Sequence, residues 1–278
     1  MTTSTAPATE GAARRGALSA RTRPPKAGPL SAALTFAWRS MLKLKHVPDQ
    51  MSDAVVLPVM FTLMFTFLFG GAISGTTHDY LQFFLPGVMV LAVTLSSVFS
   101  GISLNLDLSK GSFDRFRTLP IWRPSMLIGA ALGDTFRYFV ASLVPFLVGL
   151  LLGFRPGGGV VGLLLALLFL QLFAFCLSWL WTMFALLLST PTGFQGLTMP
   201  IQFVLVFASN VMVPPQTMPG WLDAVVSANP ISHVATAVRG LLHGTVTAGQ
   251  LGAGFLACAA FLVVFGTVTS VLFSKRQR

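Results

Sequence analysis

The chain has 278 residues, of which 54% are hydrophobic and only 9% are charged. A soluble domain carries about 25% charged residues, so these values exclude a soluble globular enzyme, a disordered protein and a secreted disulfide scaffold. The length allows about six membrane spans of about 20 residues each and leaves no room for a soluble catalytic domain of ordinary size. The composition therefore predicts an all-α membrane protein.

The net charge of +10 lies mostly outside the apolar runs. Eight of the 18 Lys and Arg residues fall in the first 45 positions, and three fall in the last four. Basic clusters beside apolar spans are typical of cytoplasmic segments that face anionic membrane lipid. No nucleic-acid-binding module accompanies the charge, so nucleic acid is not an expected partner.

The amino-terminal region divides into two segments. Residues 1–29 are rich in Ala, Thr, Pro and Arg and lack the apolar stretch of a secretory signal, which predicts a disordered cytoplasmic tail. Residues 30–48 place Trp38 on one helical face and Arg39 and Lys43 on another, as in an amphipathic helix lying on the membrane. A soluble amphipathic helix is the alternative, but a span begins within ten residues.

Residues 49–278 then predict a six-span transmembrane domain. Residues 156–222 carry no charge over 67 positions, a length that suits two spans, and the sequence STPTGFQG at 189–196 marks the break between them. The predicted spans lie at about 54–73, 83–105, 126–153, 160–189, 194–213 and 251–273.

Segment 214–250 separates the fifth and sixth predicted spans and is cut by Pro, Gly and single charges. It predicts two short helices that dip into the bilayer without crossing it, with Asn229 before Pro230 as a helix start and Gly244 as a helix stop. We expect Arg239 and His233 to anchor these short helices at the lipid headgroups. Contact with the exit of a substrate path is the alternative.

The distribution of basic residues predicts the orientation of the chain. With the amino terminus inside, the inner segments hold 15 Lys and Arg residues and the outer segments hold only Arg155 and Arg239, while Arg137 lies within the third span. This asymmetry indicates a multi-pass protein of the plasma (inner) membrane with both termini in the cytoplasm.

The sequence contains no motif for phosphate binding, metal binding or nucleophilic catalysis. Cys176 and Cys258 lie within apolar runs, as expected for small packing residues. All eight acidic residues fall outside the centres of the spans, which argues against a proton-coupled carrier. We therefore expect no catalytic residue, no metal and no cofactor bound by this chain. Energy for transport would come from another chain, unless the protein is a passive pore.

The inner loop at 111–124, GSFDRFRTLPIWRP, combines aromatic and basic residues. Such a composition suits docking into a groove of a partner protein. A solvated loop whose arginines only enforce membrane topology is an equally open interpretation.

Several stretches together resemble the membrane subunits of ABC-2 type exporters, of the daunorubicin-resistance type found in actinobacteria. They are FDRFRTLPIWRPS at 113–125, GDTFRYFVASL at 133–143, LLLGFRP at 150–156, SNVMVPPQTMPGW at 209–221 and ANPISHVATAVRGL at 228–241. Each stretch is short, but their joint order and spacing are specific and cover the chain from about residue 30 onward.

The resemblance implies an all-helical fold with an interfacial amino-terminal helix, six transmembrane helices and a short extracellular helical pair between spans five and six. It implies a second permease chain, forming a homodimer, and two copies of a separate ABC ATP-binding subunit that holds ATP and Mg. The loop after span two would couple the permease to the ATPase. The residues that match this loop are Phe113, Asp114, Arg115, Phe116, Arg117, Thr118, Leu119 and Pro120.

Two further groups are candidates for function. Asp134 and Arg137 are three residues apart on one helix face, which suits either a cytoplasmic gate or a local ion pair that neutralises both charges. Phe99, Phe203 and Phe207 are candidate substrate contacts, because apolar pockets accept drug-sized ligands.

The expected function is the permease of an ATP-driven exporter that moves a hydrophobic or amphipathic drug or antibiotic out of the cell. Export of a lipid, glycolipid or polysaccharide precursor is an alternative within transport. A membrane assembly subunit that recruits an ATPase without transporting anything is an alternative of another class.

Overall fold

The computed structural model describes residues 28, 31, 35, 38, 48–109 and 125–276. Ser31, Thr35 and Trp38 have helical backbone, and the remainder of the predicted interfacial helix before residue 48 lies outside the described residues. The predicted tail, apart from Gly28, and the whole of the predicted coupling loop at 113–120 also lie outside them.

The described residues are mostly helical and include no β-strand. Its α-helices are α1 (Pro48–Met64), α2 (Gly70–Ser74), α3 (Thr77–Ser109), α4 (Ser125–Leu151), α5 (Gly159–Leu187), α6 (Pro191–Phe207), α7 (Gly220–Ala228), α8 (Pro230–His243) and α9 (Ala248–Arg276). A π-helical turn, Phe65–Phe69, joins α1 to α2, and a single 3₁₀ turn, Pro215–Thr217, precedes α7.

Among the described residues, five helical segments are long and apolar enough to cross a membrane. They are Val55–Ile73, Thr77–Ser109, Gly133–Leu151, Gly159–Leu187 and Ala248–Lys275. The fifth predicted span, at about 194–213, coincides with α6, whose 17 residues measure about 26 Å, against about 30 Å for a hydrocarbon core.

Helix α3 is the centre of the bundle. Its side chains are buried along most of its length, whereas α1 and α9 each bury one side and expose the other. The reason lies in its neighbours, since α1, α4, α5, α6 and α8 all pack against α3. A helix that is apolar all round is expected at such a buried position.

The bundle has two ends, defined here by the connections between helices. The turn end holds residues 152–158, which join α4 to α5, and the loop end holds residues 110–124, which join α3 to α4. Helices α3 and α4 are antiparallel, because Leu85 lies beside Gly149 near the turn end and Ser100 bonds Asp134 near the loop end. Helix α5 runs in the same direction as α3.

The sequence predicts helix to residue 213, but α6 ends at Phe207. Side chains from the next helices take the backbone carbonyls that a longer helix would use. The Asn229 amide donates to the Leu205 and Ala208 carbonyls at 2.8 and 2.7 Å, and Arg239 donates to the Asn210 carbonyl at 3.2 Å. Residues 208–213 therefore continue toward the turn end as irregular chain.

Helices α7 and α8 are the two short helices in segment 214–250. The predicted caps are confirmed: the Asn229 side chain accepts from the Ile231 N–H at 2.9 Å with Pro230 at the first helical position, and Gly244 adopts the left-handed conformation with φ of 72°.

The carboxyl end of α8 packs directly on the turn that starts α5. The Gly158 N–H donates to the Leu242 carbonyl at 2.8 Å. A Cβ atom on Gly162 would lie 2.3 Å from the Leu241 oxygen, so only glycine permits this approach. The short helices are thus joined to the turn end of the bundle through backbone contacts.

Candidate functional site: a buried polar seam on the central helix

A row of polar residues on α3 bonds to the surrounding helices inside the apolar bundle, through the backbone carbonyl at Thr94 and through side chains at the other positions. Three of its members bond to α5 and α6. Thr94 offers its carbonyl to the Gln202 amide of α6 at 2.9 Å, and Ser97 accepts from the Trp181 indole of α5 at 2.7 Å. Asn105 donates to the Ala185 carbonyl at 3.2 Å. Hydrogen bonds between helices provide these buried polar groups with partners. They also fix the position of each helix along its neighbour.

Ser100 joins α3 to α4. Its hydroxyl donates to the Asp134 carboxylate, and because that uses its single proton, the Tyr138 hydroxyl donates to Ser100, at an O–O distance of 2.5 Å. Arg137 places Nη2 3.1 Å from the Asp134 carboxylate. We call these four residues, Ser100, Asp134, Arg137 and Tyr138, the crossbridge.

The charged pair of the crossbridge is closed off from solvent, whereas Ser100 is part-buried. Asp134 is 6% exposed and Arg137 is 1% exposed. The Arg137 guanidinium lies 5.3 Å from the Phe99 ring centre and 5.6 Å from that of Tyr138. Its Nε and Nη2 groups make no geometrically sound hydrogen bond, so the cation is held by charge and by the two rings.

Helix α5 also reaches the crossbridge. Gln171 lies against α4 one residue beyond Asp134, with its amide oriented to donate to the Thr135 carbonyl at 3.1 Å. Three helices therefore meet at this point. Asp134 and Arg137, which the sequence predicts to be a gate or a local ion pair, are both enclosed by protein.

Arg239 joins α8 to the bundle, and its expected position at the lipid headgroups stays a prediction. Its guanidinium turns into the bundle, where Nε donates to the Phe83 carbonyl at 3.1 Å and the cation stacks 3.9 Å above the Phe83 ring. Burial lowers the pKa of Arg239 to about 10, so the side chain stays charged at neutral pH. The nearby His243 bonds the Gln82 carbonyl at 3.0 Å, and as a carbonyl only accepts, Nε2 carries the proton. His233 is half-buried.

The three candidate substrate residues have different surroundings. Phe99 is half-buried, and its ring lies against Arg137 of the crossbridge. Phe203 and Phe207 stack on each other at 4.1 Å on α6 and are 60% and 44% exposed. The structure therefore does not bring the three phenylalanines together.

Eight residues of this site were not predicted from the sequence: Thr94, Ser97, Ser100, Asn105, Tyr138, Gln171, Trp181 and Gln202. The sequence did contain a signal for them, since each is a polar or amphipathic residue within an apolar run. Polar side chains inside apolar helices need partners, so they mark helix contacts or functional paths. Within the described segments of the chain, no cluster of three or more His, Cys, Asp or Glu residues could hold a metal ion.

Comparison with known proteins identifies the family. The ABC-2 type transporter family matches residues 32–243. The chain is 47% identical over 263 residues to the daunorubicin resistance ABC transporter permease protein DrrB1 of Streptomyces coeruleorubidus, covering 95% of this chain and 93% of that protein.

More distant relatives cover about two thirds of the chain. The identity is 29% over 192 residues to the probable doxorubicin resistance ABC transporter permease protein DrrC of Mycobacterium tuberculosis, covering 69% of each chain. It is 27% over 205 residues to the putative transport permease ycf38 of Cyanophora paradoxa, covering 72% of this chain and 70% of that protein. All three relatives are named as transport permeases. The chain therefore belongs to the ABC-2 type transporter family and is a multi-pass membrane protein.

Proposed function

We propose that this chain is the permease subunit of an ATP-driven exporter that moves a hydrophobic or amphipathic drug or antibiotic out across the plasma membrane. The observation that carries the proposal is the 47% identity to a daunorubicin resistance permease over nearly the full length of both chains. A second relative is named for doxorubicin resistance. The apolar bundle is suited to a membrane path for such a compound.

The chain crosses the membrane six times, with both termini in the cytoplasm. Support comes from the 15-to-2 asymmetry of basic residues and from the course of α6 with residues 208–213. Phe194 lies beside Gly101 of α3, and Met212 accepts a hydrogen bond from Tyr80 at 3.0 Å. These contacts are 21 residues apart on α3, which is about 31 Å and close to the hydrocarbon thickness.

The chain acts as a homodimer with two copies of a separate ABC ATP-binding subunit, which holds ATP and Mg. No GxxxxGK[ST] phosphate-binding sequence occurs among the 278 residues, so this chain contributes no ATPase site of that type. ATP can drive the conformational change only to the extent that it binds the closed ATPase pair more tightly than the open pair.

Residues Phe113–Pro120 form the loop that contacts the ATPase. Phe116 and Leu119 pack into the partner, while Asp114, Arg115 and Arg117 set the register by charge-assisted bonds. The loop joins α3 to α4, and the crossbridge ties these helices nine residues before Ser109 and nine residues after Ser125. Movement of the loop would thus displace α3 and α4 as one rigid pair.

Asp134 and Arg137 serve this transmission rather than a gate that opens by their separation. Both residues lie on α4 three positions apart, so breaking their contact would not separate one helix from another. Among the aromatic candidates, Phe203 and Phe207 are the better substrate contacts. Phe99 is less suited as a substrate contact, because the Arg137 guanidinium already packs against one face of its ring.

The test is efflux in inverted membrane vesicles that contain this chain and its ATP-binding subunit. ATP-dependent accumulation of a fluorescent anthracycline is expected in vesicles with the unaltered chain. Arg117→Glu should abolish accumulation while the permease still inserts in the membrane. Arg155→Glu, an equal charge reversal on an exposed residue of the opposite end, is the matched control and should transport normally.

Each outcome has a distinct meaning. If the unaltered complex hydrolyses ATP but never accumulates the anthracycline, the drug-export proposal is wrong. If Arg117→Glu transports as well as Arg155→Glu, the assignment of the loop is wrong while the exporter function stands.

A further inference from the structure

Pro86 leaves a carbonyl of α3 without a donor from its own helix. The proline lies inside α3 and has no N–H, so the carbonyl of Gln82, four residues earlier, cannot make its usual helical bond. A carbonyl that is screened from water and has no donor costs free energy. His243 of α8 removes this cost, because its Nε2 donates to the Gln82 carbonyl at 3.0 Å. One helix thus completes the hydrogen bonding of another.

Arg239 binds the next carbonyl of α3. Its Nε donates to the Phe83 carbonyl at 3.1 Å, and its guanidinium lies 3.9 Å from the centre of the Phe83 ring. Its Nη2 donates to the Asn210 carbonyl at 3.2 Å, in the irregular chain that follows α6. Arg239 and His243 are four residues apart and so share one face of α8. We call these two residues the latch, because together they join α8 to two successive carbonyls of α3.

Pro86 divides α3 into two parts that are attached to different neighbours. The terminal segment, Thr77–Leu85, is held by the latch and by the turn end, where the Gln82 amide donates to the Gly153 carbonyl at 3.3 Å. The remainder of α3 is held by the buried polar seam and the crossbridge, which bond it to α4, α5 and α6. Helices bend most readily at proline, where one bond of the backbone ladder is missing. The terminal segment can therefore tilt about Pro86 when the latch opens.

Helix α8, which carries the latch, is fixed to α5. The Gly158 N–H at the start of α5 donates to the Leu242 carbonyl at 2.8 Å, and Gly162 permits close contact with the Leu241 oxygen. We therefore expect α8 to stay with α5 when α3 moves. Such a movement would draw the two α3 carbonyls away from their donors in the latch.

We propose that Arg239 and His243 are positioning residues of an outward gate in the export cycle. They hold the terminal segment of α3 against α8 in the closed state, and the segment tilts about Pro86 when movement of α3 breaks their bonds. This inference rests on the proposed function, because the movement of α3 comes from the ATP-binding subunits. Neither residue has to touch the transported compound, so the latch sets the rate of release rather than the affinity for the compound.

Pulsed electron paramagnetic resonance tests the latch without measuring transport. Spin labels on Thr77→Cys and Val161→Cys, in a chain whose two cysteines are replaced by alanine, occupy exposed positions on the terminal segment and on α5. The complex with the ATP-binding subunit, in lipid nanodiscs without ATP, should show one main distance. Arg239→Met and His243→Phe should each raise the population of a second, longer distance about tenfold, since each removes a hydrogen bond that closes the latch. A non-hydrolysable ATP analogue should raise the same population in the unaltered complex. Variants with a single label identify any distance between permease copies.

Matched variants separate the latch from a general effect on the fold. Arg155→Gln removes a positive charge at the same end, but Arg155 bonds Gln82 through its backbone N–H, so the distances should not change. Arg239→Lys retains the charge and a donor and should restore most of the short distance. Pro86→Ala returns an N–H to the helix, which can donate to the Gln82 carbonyl. Adding it to His243→Phe should therefore restore the short distance as well.

Anthracycline accumulation in inverted vesicles gives a second readout. Arg239→Met should lower the maximal rate of ATP-dependent accumulation, while the concentration that gives half the maximal rate stays unchanged. Identical distances in Arg239→Met, His243→Phe and Arg155→Gln would overturn the proposal, and so would a failure of Pro86→Ala to reverse His243→Phe. If the longer distance appears in the latch variants but the unaltered complex accumulates no anthracycline, the latch stands and the drug-export proposal is wrong.

Discussion

Trp181 on α5 donates its indole N–H to the hydroxyl of Ser97 on α3, and both side chains are fully buried between the helices. Ser97→Ala would leave the indole N–H without an acceptor. An unsatisfied buried donor costs about 1–3 kcal/mol, so we expect the free energy of unfolding to fall by roughly that amount. Unfolding in detergent, followed by tryptophan fluorescence, measures the change.

The control for Ser97→Ala is Ser270→Ala, because Ser270 is exposed on α9 and bonds only its own helix. Its effect should stay within about 0.5 kcal/mol. Adding Trp181→Phe to Ser97→Ala should cost less than the sum of the two single changes, since both partners are then removed. Equal stability of Ser97→Ala and the unaltered chain would contradict the interpretation.

Gly162 and Gly252 predict opposite effects of the same substitution. Gly162→Ala would place a Cβ atom 2.3 Å from the Leu241 oxygen and push α8 away from α5, which destabilises the chain. Gly252→Ala lies on α9, where a Cβ atom would meet nothing within 4 Å. Alanine is better than glycine inside a helix by about 0.5–1 kcal/mol, so Gly252→Ala should be neutral or stabilising. Thermal unfolding of the two variants side by side checks the contrast.

If the crossbridge transmits movement from the ATPase, weakening it should reduce efflux without reducing ATP hydrolysis. Tyr138→Phe removes the hydroxyl that donates to Ser100 and loosens α4 from α3. We expect efflux to fall about tenfold at unchanged ATP hydrolysis, equivalent to roughly 1.4 kcal/mol of lost coupling. Efflux and phosphate release are measured in the same vesicles.

Ser142→Ala is the matched control for the crossbridge, because Ser142 is buried on α4 but bonds only the Phe139 carbonyl of its own helix. It should leave efflux per ATP unchanged. If Tyr138→Phe lowers ATP hydrolysis and efflux in the same proportion, the two helices are not the transmitting pair.

If segment 191–213 crosses the membrane, as the six-span proposal requires, its two ends face opposite sides of the membrane. Thr192→Cys and Thr217→Cys, each made in a chain without its native cysteines, place an exposed thiol within the first turn of the segment and just beyond its other end. A maleimide that cannot cross the membrane should label Thr217→Cys in intact cells and Thr192→Cys only in inverted vesicles. Labelling of both from one side would mean that α6 enters and leaves the membrane on the same face.

Much of the helical layout follows from the sequence because apolar runs and breakers act locally. The break at 189–196, the Asn229 cap and the Gly244 stop are all found in the structure. The early start of α3 at Thr77 was also readable, since Thr76 is a favoured N-cap residue and its hydroxyl accepts from the Asp79 N–H at 3.0 Å. The predicted span begins six residues later because hydrophobicity alone defined it.

The end of α6 and the partners of α3 could not be predicted in the same way. Helix α6 stops at Phe207 where Asn229, more than 20 residues later, bonds the Leu205 and Ala208 carbonyls, and Arg239 bonds the Asn210 carbonyl just beyond the helix. Likewise, no local pattern pairs Ser97 with Trp181, which are 84 residues apart. Such contacts depend on the tertiary packing of helices, which periodicity does not encode.

The placement of Asp134 and Arg137 on a single helix has a consequence for biogenesis. A charge that must wait for a partner on another helix enters the lipid alone and opposes membrane insertion. Here the two opposite charges are joined within one turn of α4 as soon as that turn forms. The newly made helix can therefore enter the bilayer as a nearly neutral segment, before Ser100 and Tyr138 complete the contact with α3.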